Sequence, residues 1–238
     1  MLFIDLGARG GRPRRWHDDP APRLAVDGEG IPVGDGLAVA AYVSDTARPA
    51  TFFETRSGGT SSLYRPNLDL LRQFPETGDR YEVVAEHAVT TQGLDAIVAP
   101  YADPPYAMKL DVHGSELAIL RGATQTLPQT VLIDIEYWFL QVYHGMPHAG
   151  SVHDYLLTAG FAVVDMTRYW WTRHDGARVL IFAEAQYIRW DRALPANWAC
   201  RIPALQPTRG SRFVSRLCQW VDRHFGTSFP ASMRDNER

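Results

Sequence analysis

The first eleven residues limit the possible folds of this chain more than any other segment. An apolar run at 2–6 is followed at once by the glycine-rich turn GARGG at 7–11. A buried strand that ends in such a turn is typical of the first unit of a nucleotide-binding α/β fold, because glycine lets the backbone approach a ligand closely. Further apolar runs at 23–26 and 37–43 also end in turn residues. Uninterrupted runs of this kind predict parallel strands that are covered on both faces.

The middle of the chain has a different pattern. Residues 50–55 and 81–91 alternate apolar and polar side chains, and a serine- and glycine-rich stretch at 57–62 lies between them. Alternation with a period of two predicts strands that are buried on one face only. We therefore interpret residues of about 46–97 as a β-rich insertion, which forms an antiparallel excursion or a lid over the main sheet.

The second half returns to long apolar segments, which predict core strands, helices and an antiparallel strand pair at the sheet edge. In chain order these are strand 106–112, helix 115–127, strand 131–135, helix 152–159 and the paired strands 161–164 and 178–187. The first helix places Leu117, Ile119, Leu120 and Ala123 on its buried side, and Ser115 is positioned to cap it.

These segments divide the chain into two parts. Residues 1–190 are expected to form one domain that includes the β-rich insertion. Residues 191–238 are expected to form a C-terminal extension, which prolines interrupt before one amphipathic helix near 211–225.

Charge and composition exclude several classes of protein. Lys and Arg number 24 against 27 Asp and Glu, a net charge of −3, whereas proteins that bind nucleic acid usually carry a basic excess. No apolar run approaches the ~18 residues of a membrane span, and no leader-like segment opens the sequence. Cys200 and Cys218 are too few for a disulfide framework. We expect a cytoplasmic protein that binds neither nucleic acid nor membrane, and a homodimer is left open.

Several segments together resemble one known family. The stretches FIDLGARGG, TSSLYRPN and MKLDVHGSELAILRGA are similar to the FkbM family of S-adenosylmethionine-dependent methyltransferases, as are VLIDIEYWFLQVYHGMP and VLIFAEAQYIR. The similarity runs from Phe3 to about Arg189. The third stretch is the most specific, because a strand, an Asp, Gly-x-Glu and Leu-x-x-Leu-x-Gly-Ala form a long pattern.

The resemblance implies an α/β fold with a Rossmann-like class I methyltransferase sheet. This sheet is mostly parallel and seven-stranded with an antiparallel edge strand, and S-adenosylmethionine lies over the carboxyl ends of its first three strands. The implied reaction is methyl transfer, commonly to a hydroxyl of a sugar or a natural-product scaffold. The chain departs from the family where Phe-Glu-Pro-Asp is usual and 26–29 reads VDGE, and where His113 replaces Glu or Gln. The connection from residue 27 to residue 37 is also too short for the usual helix.

The cofactor would be bound first by the turn after the first strand. Asp5, Gly7, Ala8 and Gly11 belong to an Asp-x-Gly-x-x-x-Gly pattern, in which Asp5 either accepts a hydrogen bond from the ligand or orders the turn. A glycine turn after a strand is also common in α/β proteins that need it only for packing. We expect the side chain of Arg9 to point away from the methyl group or to meet the cofactor carboxylate.

Two further strand ends are candidates for the cofactor site. Asp27 is predicted to accept hydrogen bonds from both ribose hydroxyls, in preference to Glu29, although Asp-Gly is also a strong turn signal. Ser44 and Asp45 end the third apolar run, where the adenine edge would lie, and a strand-terminating turn is the alternative interpretation.

The catalytic candidates follow the fourth core strand and the next one. Lys109 and Asp111 are two residues apart on one strand and face the same side, so Lys109 is expected to pair with Asp111 or Asp5, and Asp111 to lie at the site. His113, in the loop above, is the predicted general base, because histidine titrates near neutral pH. Glu136 is the substitute base; an ordinary loop histidine is the alternative interpretation of His113.

No metal site is predicted. His144, His148, His153 and Asp154 are close in sequence, but their spacing matches no helical ligand motif and loop histidines are common. The expected partner is a small-molecule or glycan acceptor. Two other functions stay open, a non-catalytic domain of the same fold and a nucleotide-binding enzyme of another class.

Overall fold

A computed structural model gives the fold of the chain. The structure describes residues 1–9, 11–13, 16–17, 21–30, 32–101 and 104–191. The predicted amphipathic helix near 211–225, with nearly all of the C-terminal extension, lies outside the described residues.

The core is the predicted seven-stranded sheet, with the strand order β3-β2-β1-β7-β8-β10-β9. Neighbouring strands from β3 to β8 run parallel, and β10 runs antiparallel to both β8 and β9. The antiparallel pair therefore forms one edge, with β9 outermost. The strands are β1 (Leu2–Leu6), β2 (Arg23–Asp27), β3 (Gly36–Ala40), β7 (Tyr106–Leu110), β8 (Thr130–Trp138), β9 (Phe161–Thr172) and β10 (Arg178–Arg189).

The predicted β-rich insertion forms a second sheet of three strands. These are β4 (Tyr42–Ser44), β5 (Pro49–Thr55) and β6 (Val83–Gly93), in the order β4-β6-β5, with β4 parallel and β5 antiparallel to β6. The insertion also contains a short 3-10 segment, Gly58–Thr60, and helix α1 (Leu68–Leu71). Residues of its loop at 57–63, termed the lid loop below, line a cavity at the carboxyl ends of the main strands.

The third apolar run differs from the prediction. We expected residues 37–43 to form one strand buried on both faces, but β3 ends at Ala40 and the chain enters the small sheet at Tyr42. Strand β3 is largely exposed, and Leu37 keeps 53% of its surface accessible. The reason is the short connection after β2, which has no helix among its described residues to cover the strand.

Three further helices in the described part of the chain pack against the strands of the two sheets. Helix α2 (Leu94–Val98) ends the insertion, α3 (Glu116–Gly122) follows β7, and α4 (Ala149–Thr158) follows β8. The predicted apolar face of α3 is buried, with Ile119 and Leu120 fully enclosed. Ser115 occupies the N-cap position, although its side chain makes no capping hydrogen bond. None of the described helices has the length and apolar character that crossing a membrane requires.

Candidate active site

A cavity of about 360 Å³ opens at the carboxyl ends of β1, β2 and β7. Parallel strands leave such a crevice where their connections diverge, and ligands of open α/β sheets bind there. The segments that line it include the turn after β1, the end of β2, the start of β4, Phe52 of β5 and the lid loop. The last residues of β7 and the loop after it close the cavity on the remaining side.

The turn after β1 depends on Gly7. Its backbone has φ +78°, a conformation that side chains disfavour, and a Cβ there would overlap the backbone carbonyl oxygen of Asp111. The Gly7 N–H donates to the carbonyl of Val26 at 2.9 Å, which ties the turn to β2. Gly7, Ala8 and Gly11 all line the cavity, as the sequence predicts.

Arg9 connects this turn to the lid. Its guanidinium pairs with Glu29 at 3.0 Å and donates to the backbone carbonyl of Gly58. The side chain is therefore held by the protein's own groups at the rim of the cavity. Because Gly58 belongs to the lid loop, Arg9 fixes the lid against the turn after β1.

Asp5 lies at the floor of the cavity as half of a buried ion pair. Its Oδ2 accepts from Arg23 Nη2 at 2.6 Å and from Nε at 3.0 Å, and both side chains are 1% exposed. Its Oδ1 has no hydrogen-bond partner in the described structure and lies 3.6 Å from Lys109 Nζ. One oxygen of Asp5 is thus bound by Arg23, and the other lies buried against the ammonium group of Lys109.

The structure separates Asp27 from Glu29. Asp27 lines the cavity at the end of β2, and its Oδ1 accepts from the Glu29 N–H at 3.0 Å. Burial raises the pKa of Asp27 above its ordinary value, and the Glu29 N–H opposes this shift. Glu29 itself pairs with Arg9 and is not among the residues that line the cavity. This geometry favours Asp27 as the ligand-facing carboxylate.

Ser44 and Asp45 do not lie where the sequence places them. Ser44 ends β4 of the small sheet instead of the third strand of the main sheet, Asp45 follows it, and neither residue lines the cavity. Asp45 packs its backbone against Gly122, the last residue of α3, where a Cβ would overlap it. At this side the cavity is lined by Tyr42 and Phe52, whose ring centroids lie 4.9 Å apart.

A second cavity of about 600 Å³ adjoins the first. Lys109 and Asp111 line both cavities, so they form the boundary between them. The second cavity is rich in carboxylates and has one aromatic wall. Its lining includes Asp134, Glu136 and Glu184 together with Thr167 and Tyr169.

Lys109 and Asp111 are paired, as predicted. Lys109 Nζ donates to Asp111 Oδ2 at 3.1 Å. Burial alone would lower the pKa of Lys109, but Asp111 and Asp5 outweigh it and hold the pKa above its ordinary value. Burial alone would raise the pKa of Asp111, but Lys109 and His113 outweigh it and hold that pKa low. Both shifts favour the charged forms of the two side chains.

His113 is held in one orientation by the loop after β8. Its Nδ1 lies 2.8 Å from the hydroxyl of Tyr143, and that hydroxyl donates to the carbonyl oxygen of Thr60 at 2.9 Å. Because the Tyr143 proton is used on Thr60, the hydroxyl accepts from Nδ1–H, and Nε2 carries the lone pair of a neutral ring. Nε2 faces Asp111 Oδ1 at 3.6 Å. Burial lowers the pKa of His113, which favours this neutral form.

Glu116 fixes the backbone on both sides of His113. Its Oε1 accepts from the Val112 N–H at 3.1 Å, and its Oε2 accepts from the Gly114 N–H at 2.8 Å. His113 between them has φ +55°, which non-glycine residues rarely adopt. The Gly-x-Glu pattern thus clamps the loop that carries His113. Burial raises the pKa of Glu116 to about 7.

Glu136 completes a group of three side chains with Asp111 and His113. Its Oε1 is buried without a hydrogen-bond partner in the described part of the chain, and burial raises its pKa well above the ordinary value. One ligand atom from each of the three side chains lies within 4.8 Å of the other two. The residues that we predicted to be catalytic are therefore brought together. Among the described residues, His144, His148 and His153 form no such group.

The site also contains residues that the sequence did not single out. Arg23 neutralises Asp5, Tyr42 forms a wall, and Tyr143 orients His113. No local pattern marks any of them, since each acts on a residue far away in sequence. Gly28 offers a partial signal for Tyr42, because a Cβ at Gly28 would overlap the Tyr42 ring.

The sheet order, the glycine turn after β1 and the paired cavities at the carboxyl edge define a Rossmann-like α/β enzyme. A family model described as the methyltransferase FkbM domain matches residues 24–163, more than half of the chain. The chain therefore belongs to the FkbM methyltransferase family and is a methyltransferase. No curated protein and no solved structure matches it.

Proposed function

We propose that this methyltransferase uses S-adenosylmethionine to methylate a hydroxyl group of a sugar or another natural-product small molecule. The observation that carries the proposal is the meeting of two cavities at Asp111. A transfer between two bound molecules needs two binding spaces that share one wall, because the reacting atoms must come to about 3 Å of each other.

The residues of the first cavity fit S-adenosylmethionine. Its volume of about 360 Å³ falls within the range of small-molecule sites. A carboxylate has about four lone-pair positions, so Asp27 can accept from ribose hydroxyls besides its bond from Glu29. Tyr42 and Phe52 offer an apolar wall for a flat base. When bound, this cofactor supplies an activated methyl group on a positively charged sulfur.

The second cavity suits an acceptor rich in hydroxyl groups. Asp134, Glu136 and Glu184 offer carboxylate oxygens, which accept hydrogen bonds from hydroxyls. Tyr169 stacks on Phe182 with ring centroids 4.4 Å apart, which fixes the aromatic wall of the cavity. A cavity that combines carboxylates with an aromatic ring suits a sugar ring or a hydroxylated scaffold.

The acceptor hydroxyl must lose its proton as its oxygen is methylated, and removing that proton is worth about 10²–10⁴ in rate. We assign this step to the group of Asp111, His113 and Glu136. The group lies between the cavities, since His113 lines the first, Glu136 the second and Asp111 both. Arg9 holds the lid over the first cavity and so limits the access of water.

Cofactor binding is tested by titration calorimetry with S-adenosylmethionine, S-adenosylhomocysteine and NAD. Asp27→Ala should weaken the affinity for the first two by about 10- to 150-fold, which corresponds to about 1.5–3 kcal/mol for hydrogen bonds to a charged group. Glu29→Ala is the matched control, because Glu29 is near but does not line the cavity. If Glu29→Ala weakens binding and Asp27→Ala does not, the assignment of the ribose carboxylate is wrong.

Methyl transfer is tested by a screen with a methyl-labelled cofactor over hydroxylated sugars and natural-product scaffolds. Transfer of the label to a hydroxyl oxygen supports the proposal. Tight binding of NAD in place of the methyl donor would instead indicate a nucleotide-binding enzyme of another class. Binding of neither ligand would indicate a non-catalytic domain that has kept the fold.

A further inference from the structure

The group of Asp111, His113 and Glu136 brings three potential metal-ligand atoms together at the boundary of the two cavities. These atoms are Asp111 Oδ1, His113 Nε2 and a Glu136 carboxyl oxygen. Imidazole nitrogen and carboxylate oxygen are common ligands of divalent metal ions.

Two donors of the site, Lys109 Nζ and the N–H of the His113 ring, are used on other atoms. Lys109 Nζ is bound to Asp111 Oδ2, whereas Asp111 Oδ1 is the oxygen that lies 3.6 Å from His113 Nε2. The N–H of the His113 ring is used on Tyr143, so Nε2 has no proton to give to Asp111. Glu136 Oε1 is buried and has no hydrogen-bond partner among the described residues.

The separations suit a shared cation. First-row divalent ions bind imidazole nitrogen and carboxylate oxygen at about 2.0–2.2 Å, so two ligands of one ion lie roughly 3–3.5 Å apart. His113 Nε2 and Asp111 Oδ1 are 3.6 Å apart, which is too long for a hydrogen bond and close to that separation. All three ligand atoms lie within 4.8 Å, so small side-chain rotations bring them onto one ion.

We propose that Asp111, His113 and Glu136 bind a divalent first-row transition ion at the boundary of the two cavities. A nitrogen ligand beside two carboxylates favours Mn²⁺, Fe²⁺, Co²⁺ or Zn²⁺ over Mg²⁺, which binds oxygen ligands and water. Two carboxylates balance the charge of one such ion. Three protein ligands leave coordination positions open toward the second cavity.

The role of the ion follows from that opening and rests on the proposed function. An acceptor hydroxyl that takes an open position would be held at the boundary of the cavities, and the ion would make its proton easier to release. With the ion bound, the three side chains would act as its ligands, and the proton would pass to water in the second cavity instead of to them. The oxygen then forms a bond to the methyl carbon as the bond from that carbon to sulfur breaks, and the positive charge on sulfur is cancelled. The three side chains thus hold the acceptor through the ion.

The test is metal binding by the full chain after removal of metals with EDTA, without cofactor or acceptor. Mn²⁺ is titrated and free Mn²⁺ is followed by its electron paramagnetic resonance signal. One bound Mn²⁺ per chain is expected, and Glu136→Gln and His113→Ala should each weaken it by at least tenfold. Glu184→Gln is the matched control, because Glu184 lines the same cavity but lies outside the group.

Circular dichroism of each variant shows whether it keeps the fold. If Glu136→Gln fails to fold, the Co²⁺ absorption spectrum of His113→Ala decides, since loss of a nitrogen ligand changes it. No binding of Mn²⁺, Co²⁺ or Zn²⁺ to the unaltered protein overturns the proposal. Equal weakening by Glu184→Gln and Glu136→Gln, or undiminished binding in His113→Ala, also overturns it.

Failure of the metal site and failure of the proposed function give different results. Methyl transfer at full rate in EDTA by a protein that binds no metal would leave the function standing and overturn the metal site. One bound ion, lost in the two variants, together with no methylation of any hydroxyl would leave the metal site standing and overturn the function.

Discussion

Replacing Gly7 with alanine should destabilise the protein far more than the same replacement at Gly11. Both glycines belong to the turn after β1 and both line the first cavity. At Gly7 the added methyl group would overlap the backbone carbonyl of Asp111, and φ is +78°. At Gly11 it meets no atom within 4 Å. Comparing the two variants therefore shows how much of the effect comes from backbone conformation and packing at Gly7, and how much from replacing any glycine of the turn.

The magnitude follows from two costs. The left-handed backbone costs a non-glycine residue about 1–2 kcal/mol. Forcing a methyl group into a packed position costs typically about 1–3 kcal/mol. Gly7→Ala should therefore lower the free energy of unfolding by about 2–5 kcal/mol, whereas Gly11→Ala should change it by less than about 1 kcal/mol.

Urea unfolding followed by tryptophan fluorescence measures both variants. Whole domains have only about 5–15 kcal/mol of stability, so Gly7→Ala removes a large part of it. Where the chain still folds, the added methyl group is expected to displace the backbone of Asp111, which it would otherwise overlap. Equal stability changes at the two glycines would refute the reasoning. So would a Gly7→Ala protein with the unaltered stability and the unaltered cofactor affinity.

Two further predictions concern buried charges. Burial puts the pKa of Glu116 in the folded protein at about 7, above its ordinary 4.5, so the folded state binds this proton more tightly than the unfolded state does. The proton therefore stabilises the folded state fully below pH 4.5, and this stabilisation is lost as the pH rises through 7. In urea unfolding in EDTA, the free energy of unfolding should fall from pH 5 to pH 8 by about 2.5 kcal/mol more in the unaltered protein than in Glu116→Gln. An equal fall in the two proteins would contradict the prediction. Arg23→Met should cost about 3–5 kcal/mol of unfolding free energy, because it removes both hydrogen bonds of the buried Asp5 carboxylate and leaves it, among the described residues, only the 3.6 Å contact with Lys109. Asp5→Leu in the same chain should restore most of that loss, and no restoration would show that packing, not charge, sets the cost.

Local patterns were sufficient to predict the elements that hold the catalytic group. The apolar run of β1 with its glycine turn and the buried face of α3 lie where the sequence predicts them. The strand that carries Lys109 also lies there, but it ends at Leu110, one residue before Asp111. Each of these features depends on contacts within a few residues or on the period of one element. For the same reason, the pairing of Lys109 with Asp111 could be inferred from their spacing on one strand.

The prediction that Ser44 and Asp45 end a strand of the main sheet was wrong for a specific reason. Residues 37–43 form one apolar run in the sequence, and nothing within the run marks the break after Ala40. The break exists because Tyr42–Ser44 pairs with Thr91–Gly93 of β6, almost 50 residues further along the chain. A partner at that distance leaves no local signal, so the sequence did not reveal that Tyr42, and not Ser44 or Asp45, lines the cavity.

The sequence by itself thus determined the fold class, the sheet edge at which the site lies and the residue types available there. Only the tertiary structure decided how those residues act. It directs the N–H of His113 to Tyr143 and the proton of Tyr143 to Thr60, so that a lone pair faces Asp111. The direction of a hydrogen bond and the balance of charge depend on groups that several loops bring together. No single segment of the sequence contains all of these groups, so the sequence alone could not determine the chemistry of the site.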